Sequence, residues 1–364
     1  MRTRRRFFVN LPYLCCLVLL ITLTAGFAVP LKAQQFIVGA DVSFLASAEQ
    51  QGIVFKENGR PKDVLAILRE HQFNWVRLRI FHDPAASADK LPNDLGYTLA
   101  LARRAKAQGF RLLLDFHYSD TWADPGKQFT PEAWKNLKHK QLAEQIFSYT
   151  RETIATFRDA GVLPDMVQTG NEITDGMDWP DGKLPDNWDQ FADLLKAAIR
   201  GVEEGNGSGH RIAIMIHIER SGDPKGATWF FDKLNSYNLP YDVIGLSYYP
   251  KWHGSIVALR QTLHDLSFRY GKPIVVVETA YNWTPGDFAG KKSDFPESPE
   301  GQKEFLQAVD AAVRSTPRGL GRGVFWWEPA VAEGAIAGRA LFDAKHNALP
   351  ALTVYDKSCP LPAR

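Results

Sequence analysis

The chain has 364 residues, 45% hydrophobic and 23% charged, with a formal charge of +2 that includes the arginines of Met1-Arg2-Thr3-Arg4-Arg5-Arg6. This composition excludes a disordered chain, and the near-neutral remainder gives no electrostatic case for binding nucleic acid or an anionic membrane. The length suffices for one large core.

The N-terminus carries a basic start, an apolar stretch from Leu11 to Val29 and polar residues at Gln34-Gln35, which is the pattern of a secretory signal. Residues 1–33 are read as that signal, cleaved after Ala33, and 34–364 as a single catalytic domain, secreted or periplasmic. Leu31 occupies a position where a small residue is preferred, so an uncleaved anchor is the alternative. Cys15 and Cys16 fall in the signal and leave Cys359 alone, so no internal disulfide is expected in the mature chain.

Apolar, β-rich runs then alternate with helical periodicity. Strands are predicted at Phe36–Val42, Trp75–Ile80, Arg111–Phe116, Met166–Thr169, Ile212–Ile216, Val243–Ser247, Ile274–Val277 and Gly323–Trp327. Helices are predicted between and after them at Lys62–His71, Tyr97–Gln108, Leu142–Asp159, Trp188–Glu204, Thr228–Leu234, Ile256–Tyr270 and Glu300–Ser315. Gly109 and Gly161 stand where two of these helices should stop. Eight strand-helix units without a long linker predict an α/β fold, a (β/α)8 TIM barrel; the competing doubly wound sheet would favour a glycine-rich phosphate loop, and none is present.

In such a barrel the C-terminal ends of the strands face the active site. Reading along them gives Asp41, Arg79, His82, His117, Asp120, Asn171, Glu172, His217, Tyr248, Tyr249, Glu278, Trp326 and Trp327. Carboxylates can do chemistry on a sugar, amides and imidazoles bind its hydroxyls, and indoles stack on its C–H face. Glu172, ending Val167-Gln168-Thr169-Gly170-Asn171-Glu172, and Glu278, ending Ile274-Val275-Val276-Val277-Glu278, form the pair that glycoside hydrolysis needs, one as proton donor and one as nucleophile. Arg79 is the expected partner of Glu278. Taken singly, each glutamate also fits a capping or salt-bridged role, and His117 and His217 also fit satisfied core positions. Alternation along a strand predicts that one of Trp326 and Trp327 faces the cleft, and one of Tyr248 and Tyr249. His117, Asp120 and Asp124 form a superficial metal set, but the aromatic loop around Trp122 reads better as a sugar platform.

The string Asp115-Phe116-His117-Tyr118-Ser119-Asp120-Thr121-Trp122-Ala123-Asp124-Pro125 resembles the third-strand signature of glycoside hydrolase family 53, endo-β-1,4-galactanases of a clan of retaining barrel enzymes. The likeness continues through Val76-Arg77-Leu78-Arg79-Ile80, Gly170-Asn171-Glu172-Ile173, Met215-Ile216-His217, Gly245-Leu246-Ser247-Tyr248-Tyr249-Pro250, Val276-Val277-Glu278-Thr279, Ser298-Pro299-Glu300-Gly301-Gln302 and Phe325-Trp326-Trp327-Glu328-Pro329. The resemblance implies that Glu172 is the acid/base, Glu278 the nucleophile, Asn171 a ligand of the hydroxyl beside the reacting carbon, Arg79 the support of the nucleophile and Trp327 the floor of the sugar subsite. It implies endo-hydrolysis of galactan or type I arabinogalactan by a monomer, with no cofactor, no nucleic-acid partner and no stable membrane association. Asp41, His117, Asp120, Trp122, Asp124, His217 and the Tyr248/Tyr249 pair complete the expected substrate contacts. The segment Ala330 to Gly338 is short and lacks aromatics where bacterial members carry a long loop associated with calcium, which puts calcium and the outer subsites in question. Hydrolysis of another β-glycan and a catalytically silent sugar-binding barrel are the rival readings.

Overall fold

The computed structural model describes residues 35–288, 293–331, 334 and 336–356; the leader and its cleavage site lie outside them. From Phe36 onward the chain forms one compact unit. Its centre is a closed barrel of parallel strands, β1 (Ile37–Asp41), β2 (Trp75–Ile80), β3 (Arg111–Phe116), β4 (Met166–Thr169), β5 (Ala213–Ile218), β6 (Val243–Tyr248), β7 (Ile274–Thr279) and β8 (Gly321–Trp327), each bonded to the next, with β8 closing on β1. The expected TIM barrel is therefore observed, with strand ends shifted by one or two residues. Two short antiparallel hairpins, at Lys56–Pro61 and Gly176–Lys183, were not legible in the sequence.

Helices α1 (Leu45–Gln50), α2 (Val64–Glu70), α3 (Leu95–Ala107), α4 (His139–Asp159), α5 (Trp188–Asn206), α6 (Pro224–Asn235), α7 (Pro250–His253), α8 (Ile256–Tyr270) and α9 (Pro299–Arg314) surround the strands. The side chains of Asp63, Asp94, Asp223, Ser255 and Ser298 accept backbone N–H bonds at five helix starts, where such donors have no partner within the helix. Gly109 and Gly161 follow helices with φ of 79° and 71°, the left-handed stop anticipated from their positions. No helix among the described residues is long and apolar enough to cross a membrane.

Two apolar cores result. The larger lies between strands and helices, and the smaller fills the barrel itself with Ile37, Trp75, Leu113, Met215, Val275 and Phe325 among others. Gly39 belongs to this inner packing: a Cβ there would meet the Phe325 ring at 2.2 Å. Above this plug the inward positions change character. Following β2 upward, Trp75 gives way to Arg77 and Arg79, and following β1, Ile37 gives way to Asp41. The plug thus supports a layer of buried charge at the C-terminal mouth.

Candidate active site

A cavity of about 770 Å³ opens over that mouth. Its base is held by Arg77, which is 1% exposed. Its Nη1 lies 2.7 Å from Asp41 Oδ2 and 2.7 Å from Glu278 Oε1, while Nη2 donates to Asp115 Oδ2 at 2.8 Å and Asn171 Oδ1 at 2.9 Å. The partner of Glu278 is therefore Arg77 rather than Arg79. Both guanidinium groups share the inward face of β2, but Arg79, one pair higher, is bound to Glu328 and lies under the rings of Phe44 and Trp122, 4.1 and 4.5 Å from their centroids.

Glu278 reaches the cavity through a backbone irregularity. Val275 and Val277 already point into the barrel, so strict alternation would turn Glu278 toward the helices. Pairing with β6 instead steps from Leu246 and Val276 to Ser247 and Glu278, leaving Val277 as an extra residue. Such a bulge re-aims the following side chain. Tyr249 Oη then donates to Glu278 Oε2 at 2.8 Å. Tyr248 points the other way, donating to the Gly254 carbonyl and stacking on Phe305 of α9, so Tyr249 is the tyrosine of the pair that faces the site.

Glu172 leaves β4 in the left-handed region, φ 48° and ψ 52°, two residues after Gly170 at φ 101°. Its Oε1 accepts from Ser247 Oγ at 2.6 Å. Burial, then the negative charges of Glu278 and Glu219, push its pKa well above the carboxylate range. Burial also raises that of Glu278, but there the Arg77 charge and the Tyr249 hydroxyl favour the ionised form. Two acids with such different neighbours can divide the labour, one holding a proton and the other a charge.

The remaining predicted residues separate into two groups. Arg79, His117, Trp122, Asp124, Asn171, Tyr249 and Trp327 line the cavity with the two glutamates. Trp122 and Trp327 stand 6.1 Å apart as neighbouring indoles, while Trp326 faces outward, its Nε1 donating to the Arg339 carbonyl. Asp41, Asp120, His217 and Tyr248 do not line it, which corrects their expected role as sugar ligands. Asp41 and His217 are wholly buried beneath the floor, and Asp120 is occupied by the backbone N–H groups of Asp83 and Glu132. Each had been selected by its place at a strand end, yet inward side chains at such ends also build the layer under the site.

Several lining residues escaped the sequence reading. Trp252, 58% exposed on α7, stands 5.4 Å from the Tyr249 ring and 4.9 Å from the Arg339 guanidinium. Glu219 follows β5 and binds Thr174 Oγ1 at 2.7 Å. An extension of the inward register of β5 by one pair would have found Glu219, as the register of β2 would have found Arg77; Arg339 comes from a loop without periodicity. Among the described residues no cluster of His, Cys, Asp or Glu is placed to hold a metal ion. Calcium does not suit the described edge beside β7 and β8: Asp287 there is taken by two cations, Arg339 at 2.8 Å and Lys251 at 3.0 Å.

Comparison with known proteins agrees with this geometry. Residues 37–355 match the model of glycosyl hydrolase family 53. The chain is 43% identical over 318 residues to an uncharacterized protein in the bgaB 5′ region of Niallia circulans, covering 82% of this chain and 85% of that protein. It is 35% identical to the arabinogalactan endo-β-1,4-galactanase of Cellvibrio japonicus, covering 88% and 90%. The solved Ignisphaera aggregans GH53 catalytic domain superposes with a TM-score of 0.83 at 37% identity, over 88% of this chain and 96% of that one.

Proposed function

Because the chain belongs to glycosyl hydrolase family 53, we propose that it cleaves internal β-1,4-galactosidic bonds of galactan or type I arabinogalactan with retention of configuration, Glu172 serving as acid/base and Glu278 as nucleophile. The observation that carries these roles is the unequal environment of the two glutamates in one cavity: Arg77 and Tyr249 on Glu278, Ser247 on Glu172. A retaining mechanism calls for carboxyl groups about 5–5.5 Å apart, acting on opposite sides of the scissile bond.

In the first step a Glu278 oxygen bonds to the anomeric carbon while the glycosidic C–O bond breaks and the leaving oxygen takes the proton of Glu172. In the second, ionised Glu172 takes a proton from water, whose oxygen bonds to the same carbon and releases Glu278. Trp327 floors the reacting sugar and Trp122 borders it, their faces matching the sugar's C–H face. No cofactor enters these steps. The leader supports export, and with it a secreted or periplasmic monomer acting on polysaccharide away from membranes.

Digestion of a polysaccharide panel with product sizing tests the reading. Linear galactan should yield mid-length oligosaccharides early, which marks internal cleavage. Preferential release from mannan or glucan would keep the chemistry and overturn the substrate. Binding of galactan without release at any pH would overturn hydrolysis.

A further inference from the structure

Behind Glu172 stand two side chains that do not line the cavity, Ser247 of β6 and His217 of β5. Ser247 Oγ donates to Glu172 Oε1 at 2.6 Å, and His217 Nε2 lies 2.8 Å from the same Oγ. A hydroxyl has one proton to give. Since that proton goes to Glu172, Oγ must accept from His217, and Nε2 carries hydrogen. The other ring nitrogen is then an acceptor, and its surroundings agree: Gln168 Nε2 at 2.9 Å and the Glu172 backbone N–H at 3.4 Å both direct donors at Nδ1. Asn171 Oδ1, 3.0 Å from Nδ1, already accepts from Arg77 and asks for no second ring proton. Burial and the Arg77 charge hold the imidazole neutral, its pKa well below the usual value.

We propose that His217 and Ser247 are positioning residues that form a fixed hydrogen-bond relay and select which oxygen of Glu172 carries the catalytic proton. Oε1 is kept as the acceptor, so Oε2 holds the proton for the leaving oxygen and takes one back from water. Neither relay member changes its own protonation: the Oε2–H bond breaks, the leaving oxygen gains that proton, and Glu172 becomes a carboxylate. The Ser247 bond strengthens at that moment, because a hydrogen bond to a charged acceptor is shorter and roughly twice as strong as a neutral one. The relay thus favours the state in which the proton has left. It works against the groups that raise the proton affinity of Glu172 from the other elements around it: Glu278 on β7, Glu219 after β5 and Asp124 in the loop after β3. Tyr249 of β6 also faces it, and Arg220 partly offsets Glu219 at 2.9 Å.

The inference rests on Glu172 being the acid/base, and the experiment separates the two. Ser247→Ala should move the alkaline limb of the kcat/KM profile on galactan upward by about one pH unit and lower kcat there by about tenfold, the loss expected from one bond to a charged group. On an aryl β-galactobioside with a very good leaving group, which needs no proton, the first step should change less than about threefold. His217→Gln, which keeps a donor toward Oγ, should hold the limb nearer its native position than His217→Ala. In the native protein, 15N spectra should show His217 as the neutral Nε2–H form across the active range. An unmoved limb with equal losses on both substrates, or an Nδ1–H or doubly protonated ring, would overturn the relay. Should Ser247→Ala fail to fold, the His217 spectrum decides. Glu172→Ala is run alongside: full galactan turnover by that variant sinks the acid/base reading itself, whereas its inactivity beside an unmoved Ser247→Ala limb sinks the relay alone.

Discussion

Arg77 is the residue on which the charge of the site turns. It joins three carboxylates from three strands, Asp41, Asp115 and Glu278, and no water-exposed group replaces it. Burial works against the ionised form of Asp115, yet Arg77 and His117 hold its carboxyl below the ordinary range. Arg77→Met should therefore cost about 3–5 kcal/mol of stability, the usual penalty for stranding buried charge. It should also raise the pKa of Glu278, moving the acidic limb of kcat/KM to higher pH because the nucleophile must be ionised. Arg79→Met, which strands Glu328 instead, should leave that limb in place; pH–rate profiles of the two variants distinguish them. The tyrosines give a second contrast. Tyr249→Phe removes a bond to Glu278 and should lower kcat by about tenfold or more. Tyr248→Phe removes a bond to the Gly254 carbonyl on the helix side, and should lower stability by about 1 kcal/mol while turnover is kept. Equal kinetics for both would contradict the assignment of Tyr249 as the inward residue.

At the scale of elements, both glutamates owe their aim to a departure from regular structure, the bulge at Val277 and the left-handed turn at Glu172. This explains where the sequence was legible. Apolar runs bounded by polar residues marked all eight strands, and strand ends marked both glutamates. Alternation resolved Trp326 from Trp327 in principle. Alternation continued from Val275 and Val277, however, points Glu278 away from the cleft, because a bulge depends on pairing with neighbouring strands and leaves no local trace. Strand ends also misled at Arg79, since the charged layer begins one inward pair lower, at Arg77. Loop residues such as Trp252 and Arg339 had no periodicity to place them. The turn at Glu172 is open to test through Gly170, whose φ is 101° and whose added Cβ would lie 2.6 Å from Ile173 Cγ2. Gly170→Ala should cost about 1–3 kcal/mol. It should also depress kcat more than KM, because the strain is relieved by moving Glu172. Thermal unfolding together with steady-state kinetics checks this, and a variant with native kcat would show that Glu172 is aimed by its contacts alone.

For the whole molecule, setting a layer of buried acids on an apolar plug couples the chemistry to stability. Burial raises the pKa of Glu172 and Glu278, and pushes that of Glu328 up from 4.5 to about 8 despite its Arg79 partner. A native state that holds protons more tightly than the unfolded chain is stabilised relative to it while those protons stay bound. As pH rises above the ordinary glutamate value the unfolded chain releases them first, so each such acid reduces stability by about 1.4 kcal/mol per pH unit until its native pKa is reached. For Glu328 that window runs from 4.5 to about 8. Acids of the opposite kind set the other edge: Asp115 and Asp120 are held below 3.8 by Arg77, His117 and His82 against their burial, and the stability they contribute is lost as pH falls through their lowered values. The two trends place the maximum on the mildly acidic side. The melting temperature should rise from about pH 3 to about pH 5 and then decline toward pH 8. A curve that is flat or still rising between pH 5 and 8 would mean that the layer of acids is ionised in the native protein throughout, with its desolvation met by Arg77 and Arg79.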